Sequence, residues 1–281
     1  MKNIVTYRGF AGASAEIDLY LAKGDEVKLV FFYHGFKGFK DWGAWQRMAP
    51  IFNKEGFSLA IINGTHNGIG HSETEITELD KFARNSISAE QKDIKEAISA
   101  TDFHLKQVGK VVSEKHLIGH SRGGANAIIY AAFHTGLKSV SSWAGVANWE
   151  ALFSFAEKET WAKDGKIYVK NSRTGQELPL GYEIWKDYEE NKDRFDIVKA
   201  ASLVTIPLLI IHGSEDKVVP LSHAQDIYES CLHSLMMQID GAGHTFETSH
   251  PWESDSLPPA FLEVLENTID FISDSDIEML Y

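Results

Sequence analysis

Gly119-His-Ser-Arg-Gly123 sets one serine between two glycines, with a third glycine at 124. The apolar pair Leu117-Ile118 precedes it, and the run Ala127 to Phe133 follows. Gly-x-Ser-x-Gly between a strand and a helix is the pattern of a nucleophile elbow, where a sharp turn lifts a serine hydroxyl above a sheet. The glycines clear space for that turn. A hydroxyl so presented attacks a carbonyl carbon, so the chemistry on offer is acyl transfer. The same residues also fit a plain glycine-rich helix start, and the motif gains weight only from its partners.

A serine hydroxyl is a poor nucleophile near neutral pH. It needs a base, and the base needs an orienting group. In this arrangement the chain order is serine, then Asp or Glu, then histidine. After Ser121, the stretch LLIIHGSEDKVVP, residues 208–220, runs from a strand into a loop with Glu215 and Asp216. The next strand ends in DGAGHTF, which holds His244 between glycine and threonine. His212 sits inside a strand end, His223 and His233 flank a helix, and His250 precedes a proline. His244 is therefore the expected base. Asp216 is the expected partner, with Glu215 as the alternative.

The negative charge that develops on the attacked carbonyl needs two aimed N–H donors, and losing one costs about 3 kcal/mol. Arg122, directly after the serine, supplies one backbone N–H. The loop in FFYHGFKGFKDW supplies the other, with Phe36 as donor and His34 and Gly35 shaping the turn.

These residues need a scaffold. AEIDLYLA alternates like a half-buried strand, and VKLVFFYHG, FSLAIING, KHLIGHS, LKSVSSWAG, IPLLIIHG and LMMQIDGAG read as further strands. AEQKDIKEAISATDFHLKQV, GANAIIYAAFHTG, SHAQDIYESCL and PPAFLEVLENTIDFIS read as helices, the second closed by Gly136. Alternation of strand and helix predicts an α/β fold with a mostly parallel central sheet and helices on both faces. The first strands crowd together before any clear helix, so the sheet is expected to begin with antiparallel pairing. Residues 147–204 break the rhythm with aromatics and charges. They are expected to form an inserted cap folded over the sheet edge, including a hairpin that turns at Asn171-Ser-Arg-Thr-Gly175. Residues 1–146 and 205–281 are then the core.

The sequences HGFKG, GHSRGG, HGSEDKVVP and GAGHTF, in this order, resemble the α/β-hydrolase superfamily of serine hydrolases. Within it the chain is similar to bacterial cinnamoyl and feruloyl esterase-like proteins and to hydrolases related to the dienelactone hydrolase and acyl-peptidase groups. The resemblance implies the α/β-hydrolase fold with a cap or lid segment. It implies Ser121 as nucleophile, His244 as base, Asp216 as its partner, and Phe36 and Arg122 as oxyanion donors. It implies hydrolysis of a small acyl or aromatic ester, with peptidase or thioesterase action as the alternative, and an insertion that contributes to the acyl or aromatic pocket. A non-catalytic binding protein on the same fold would be expected to lack one triad member. Arg122 stands where the esterases often carry Gln or Met.

Bulk properties narrow the partners. The 281 residues are 43% hydrophobic, enough for a large core, and the net charge is −13. An acidic chain without basic runs is not expected to bind nucleic acid or an anionic membrane. The single cysteine, Cys231, excludes an internal disulfide and reads as a small buried residue. No leader-like apolar stretch opens the sequence, so a cytoplasmic location is expected. His66 and His71, five apart in a glycine-rich loop, suit zinc poorly, so neither metal nor cofactor is expected. That loop is expected at the sheet edge, lining the pocket. Trp42 and Trp45 are candidates to wall the site or to pack a helix. A small-molecule ester is the expected partner, and a homodimer is compatible with the sequence.

Overall fold

The computed structural model describes residues 2–72, 74–153 and 158–274. Among them eight strands form one sheet: β1 (Lys2–Arg8), β2 (Ser14–Tyr20), β3 (Glu26–Tyr33), β4 (Phe57–Ile62), β5 (Val111–His120), β6 (Ser139–Trp143), β9 (Leu208–Gly213) and β10 (Ser234–Ile239). β7 (Lys166–Lys170) and β8 (Glu177–Gly181) form a separate antiparallel pair. The order across the large sheet is β1-β2-β4-β3-β5-β6-β9-β10. β1 with β2 and β2 with β4 are antiparallel, and the remaining pairs are parallel. The antiparallel beginning is as expected. β1 is an addition: the reading above assigns no strand there, although Val5 and Tyr7 alternate with exposed neighbours.

Strand side chains alternate between faces, so each central strand feeds two cores. Leu29, Phe31 and Tyr33 of β3 join a cluster with Ile94, Ile128 and Ala200 from helices on one face. Val30 and Phe32 join Phe52, Trp143, Phe261 and Leu265 on the other. Burial on both sides explains why β4, β6 and β9 carry no exposed residue. The helices Ile87–Gln107 and Arg122–Phe133 cover the first face, and Met48–Lys54 and Pro259–Ser273 cover the second. Helix Arg122–Phe133 stops before Gly136. His134 is already extended at φ −133°, and Gly136 at φ 95° turns the link toward β6 instead of capping the helix.

Register decides where the site forms. Tyr33 pairs with Gly119, His120 with Trp143, Trp143 with Ile211, and Gly213 with Ile239. The parallel strands therefore end within three residues of one another, and their following loops open on one edge. Open α/β sheets place ligands at this carboxyl-terminal edge.

Between β6 and β9 lies the aromatic-rich segment. Its apolar residues Trp149, Trp161, Leu178 and Trp185 run without a break into the first-face core. The β7–β8 turn is closed by Gly175 N–H donating to the Asn171 carbonyl at 2.7 Å. The hairpin is fastened across the loops that follow β3 and β4. Gly181 N–H donates to the Ala83 carbonyl at 2.8 Å, Gln176 Nε2 to the Ile76 carbonyl at 2.9 Å, and Arg173 Nη1 to the Thr74 carbonyl at 2.8 Å. Lys37 Nζ donates to the Lys170 carbonyl at 3.0 Å.

Candidate active site

Ser121 leaves β5 at φ 56° and ψ −121°, a conformation that costs an L-residue about 1–3 kcal/mol. Its surroundings hold it there. Its N–H donates to the Trp143 carbonyl at 2.8 Å, and its carbonyl accepts from Gly124 N–H at 2.9 Å. A Cβ on Gly119 would overlap the Gly123 carbonyl, and a Cβ on Gly123 would overlap the carbonyls of Tyr33 and His34. The glycines serve close approach: the helix start is pressed against β5 and the end of β3.

Three loops bring Ser121, His244 and Asp216 together. His244 Nε2 lies 3.0 Å from Ser121 Oγ, and His244 Nδ1 lies 2.8 Å from Asp216 Oδ2. With Nδ1–H donating to the carboxylate, Nε2 is left as an acceptor for the hydroxyl proton. Asp216 is fully buried in its side chain. Its Oδ1 accepts the N–H groups of Val218 at 2.8 Å and Val219 at 2.9 Å. Burial alone would raise this carboxyl, but donors from His212 and His244 outweigh it and hold Asp216 well below the usual carboxylate range. Glu215 is exposed. It touches the site only through its backbone, donating to the Ala242 carbonyl at 2.9 Å.

Two imidazoles missed in the sequence support this relay. His120, the residue before the serine, has Nε2 2.9 Å from the His244 carbonyl. Burial and the neighbouring His244 push its pKa down to about 3, so it is neutral and donates through Nε2. His212 places Nε2 2.8 Å from the Val219 carbonyl and 3.3 Å from Asp216 Oδ2. Its position inside the strand end argued against it as a base, and the same position puts it under the acid loop. Neither role has a local sequence signal, because each partner arrives from another loop.

The Phe36 and Arg122 N–H groups have no acceptor within the chain among the described residues. Arg122 N–H is one of the unpaired donors that open any helix. His34 pins the Phe36 loop: its Nδ1 lies 3.0 Å from the Gly35 carbonyl, and its Nε2 accepts from Gly64 N–H at 3.1 Å. Burial lowers the pKa of His34 to about 4, so the ring stays neutral.

The Arg122 side chain leaves the site. It is 2% exposed, with Nε 2.7 Å from Glu90 Oε2 and Nη2 donating to the Asn85 carbonyl at 2.7 Å. Asn126 Nδ2 donates to the same Glu90 oxygen at 2.6 Å. The guanidinium carbon also lies 5.6 Å from the centre of the Phe36 ring. Where the resembling esterases carry Gln or Met, this chain has a buried ion pair that ties the elbow helix to helix Ile87–Gln107.

A cavity of about 200 Å³ opens above Ser121 and His244. Phe36, Trp42 and Trp45 line it, with Asn171 and Arg173 from the hairpin turn. Trp45 does both things expected of it, since it also packs on Phe32 and Phe261 in the second core. The glycine-rich loop after β4 does not line this cavity. Gly64, Thr65, Asn67 and His71 border a separate, broader groove, and His66 is buried against Thr65 with Nδ1 2.8 Å from Oγ1. Among the described residues no group of three His, Cys, Asp or Glu side chains is placed to hold a metal ion. No helix there is long and apolar enough to cross a membrane.

Comparison with known proteins agrees with this fold. The alpha/beta hydrolase domain-containing protein 17C of Xenopus tropicalis is 43% identical over 53 residues, 18% of this chain and 17% of that protein. The chain thus matches only a small part of the length of such relatives. Est1E from Butyrivibrio proteoclasticus superposes with a TM-score of 0.67 at 15% identity, covering 98% of this chain and 100% of Est1E. The acylaminoacyl peptidase of Pyrococcus horikoshii gives a TM-score of 0.69 at 14% identity, over 97% of this chain and 41% of that one. These structural likenesses describe an α/β-hydrolase fold. The prolyl oligopeptidase family profile matches residues 50–250, which hold the elbow, the acid and the histidine loop, and the chain therefore belongs to the prolyl oligopeptidase family of the α/β-hydrolase superfamily.

Proposed function

We propose that the protein is a serine hydrolase that cleaves a carboxylic ester with a small acyl or aromatic group. The observation that carries the reading is the unbroken relay from Ser121 Oγ through the His244 ring to Asp216, with steps of 3.0 and 2.8 Å, at the floor of a cavity. His244 Nε2 takes the hydroxyl proton as Ser121 Oγ bonds to the ester carbon. The N–H groups of Phe36 and Arg122 receive the negative oxygen. The tetrahedral centre collapses, the C–O bond to the alcohol breaks, and His244 returns the proton to the leaving oxygen. Water then enters and gives a proton to the same nitrogen as its oxygen bonds to the acyl carbon; the bond to Ser121 Oγ breaks, His244 returns the proton to Oγ, and the acid is released. Asp216, held ionised, keeps His244 in the tautomer with Nδ1 protonated. Residues 147–204 act as the cap that narrows the cavity.

A second reading is cleavage of an acylated peptide, which the family membership favours. The small cavity favours compact esters over it. A fluorophosphonate probe tests the common chemistry. Wild-type protein should be labelled and Ser121→Ala should not. A panel of aryl, short-acyl and hydroxycinnamoyl esters beside aminoacyl amides then separates esterase from peptidase. Folded wild-type protein that resists the probe and turns over nothing in the panel overturns the proposal in favour of a binding role.

A further inference from the structure

The chain as a whole is acidic at −13, yet its catalytic cavity is not. Of the residues lining it, those with a fixed charge are Lys37 and Arg173, both cationic, and among the described residues no carboxylate lines it. The two are held in place. Lys37 Nζ donates to the Lys170 carbonyl at 3.0 Å, and Arg173 Nη1 donates to the Thr74 carbonyl at 2.8 Å. Both keep donors to spare, since an ammonium has three and a guanidinium five.

Two of the spare donors are unusual. Arg173 Nη2 and Asn171 Nδ2 are buried without any hydrogen-bond partner. Asn171 is 4% exposed, and its own Oδ1 is occupied by the Arg173 N–H at 3.3 Å. An orphaned buried donor is costly, and both belong to residues that line the cavity. Phe36, Trp42 and Trp45 line the same cavity. The cavity thus combines aromatic rings with cationic and amide side chains. A planar guanidinium beside an amide matches the oxygens of a carboxylate.

We propose that the substrate carries a carboxylate, held by Arg173, Asn171 and Lys37, while its scissile carbonyl lies at Ser121. This rests on the serine-hydrolase reading above and adds the charge of the substrate to it. The overall negative charge of the protein works against attraction at a distance, so recognition is made at short range inside the cavity. The hairpin then serves selection: it delivers two of the three donors from the tip of the insertion.

Matched ester pairs test it. Mono-4-nitrophenyl adipate is compared with 4-nitrophenyl hexanoate, and 3-carboxyphenyl butyrate with phenyl butyrate, using Ser121→Ala as the blank. A higher kcat/KM for the charged member of either pair supports the proposal, and the supporting pair tells which side of the ester bears the carboxylate. In Arg173→Gln that preference, read as the ratio of the two kcat/KM values in the same variant so that any effect common to both esters cancels, should fall by about 10-fold to 100-fold, the worth of a charged hydrogen bond. Arg173→Lys, which keeps the charge, should retain part of the preference. Equal rates within both pairs, or a preference untouched in Arg173→Gln, overturn it.

A binding measurement separates this from the chemistry. Titration calorimetry with benzoate and with benzamide needs no turnover. Benzoate should bind more tightly than benzamide to the wild type and lose that advantage in Arg173→Gln. Identical binding of the two overturns the anion site even if esters are cleaved. Selective benzoate binding in a protein that no fluorophosphonate labels overturns the hydrolase reading alone.

Discussion

His120 Nε2 donates to the main-chain carbonyl of His244 at 2.9 Å, across 124 residues of chain. The residue before the nucleophile thereby holds the loop of the base. The two rings lie 5.0 Å apart, and His120 also packs 5.2 Å from Trp45. His120→Phe keeps the ring against Trp45 and removes the N–H. It should lower kcat by about tenfold with little change in KM, as expected for one lost hydrogen bond that positions a reacting group. Amide exchange at residues 243–246 should quicken in the same variant. An unchanged exchange rate together with an unchanged kcat would refute the positioning role.

Asp216 and Glu215 are neighbours in sequence with opposite fates, one buried on His244 and one in solvent. Asp216→Asn replaces an acceptor by an amide that can donate to Nδ1 and so favours the wrong tautomer. The loss in kcat should be about ten-thousand-fold. Glu215→Gln should leave kcat within a factor of about two, since a change at a solvated side chain away from the reacting atoms costs little. Steady-state kinetics on the two variants decides the assignment, and a large effect at Glu215 would reverse it.

The elbow, the acid loop and the histidine loop were legible because each is a short run at the end of an apolar strand. Gly119, Ser121 and Gly123 suggest a tight turn only together with the strand before them, the helix after them and the acid and histidine loops downstream. The parallel register then does the assembly, since the ends of these strands, Tyr33, His120, Trp143 and Gly213, lie within three residues of one another. Other parts had no local signal. Asn171 and Arg173 read only as a hairpin turn, because their place over the site comes from bonds such as Gln176 to Ile76, 100 residues away. The direction of the Arg122 side chain could not be read either. Its partner Glu90 looks like an ordinary charged residue of the helix Ile87–Gln107 until two helices are packed. The loop of His66 and His71 was expected at the pocket because it follows a strand end, but β4 lies one strand beyond β3 and its loop opens on the outer groove.

Arg122 and Glu90 form a buried ion pair at 2.7 Å, with both side chains at most 2% exposed. Removing one charge from such a pair leaves the other unpaired in a poorly polarisable interior. Arg122→Met should therefore destabilise the fold by about 3–5 kcal/mol, read as a shift in the urea midpoint. The double variant Arg122→Met with Glu90→Leu should recover much of that loss, because neither charge then remains buried. The backbone N–H at 122 survives both changes, so the folded double variant should still react with a fluorophosphonate. Equal destabilisation in the single and double variants would show that packing, and not charge, sets the cost.

Four buried histidines set the response to acid. Burial lowers the pKa of His34, His66 and His116 to about 4, and that of His120 to about 3. Between their folded values and about 6.5, the unfolded chain binds more protons than the fold at these sites. Their contribution is thus complete above about pH 6.5 and is lost as pH falls toward 4, by up to about 1.4 kcal/mol per pH unit for each ring. Asp93 opposes them. Burial raises its carboxyl to about 7, so the fold binds its proton over the same window and gains stability as pH falls. Burial raises the Glu90 carboxyl too, which acts in the same sense as Asp93; four rings outweigh the two carboxyls, and Asp216, already held far below this range, stays out of it. The urea midpoint should therefore drop steadily from pH 6.5 to 4.5. In Asp93→Asn, which takes away one of the opposing groups, the drop should be steeper. A midpoint that is flat or rises on acidification would mean that these imidazoles are charged, or hydrated, in the native protein.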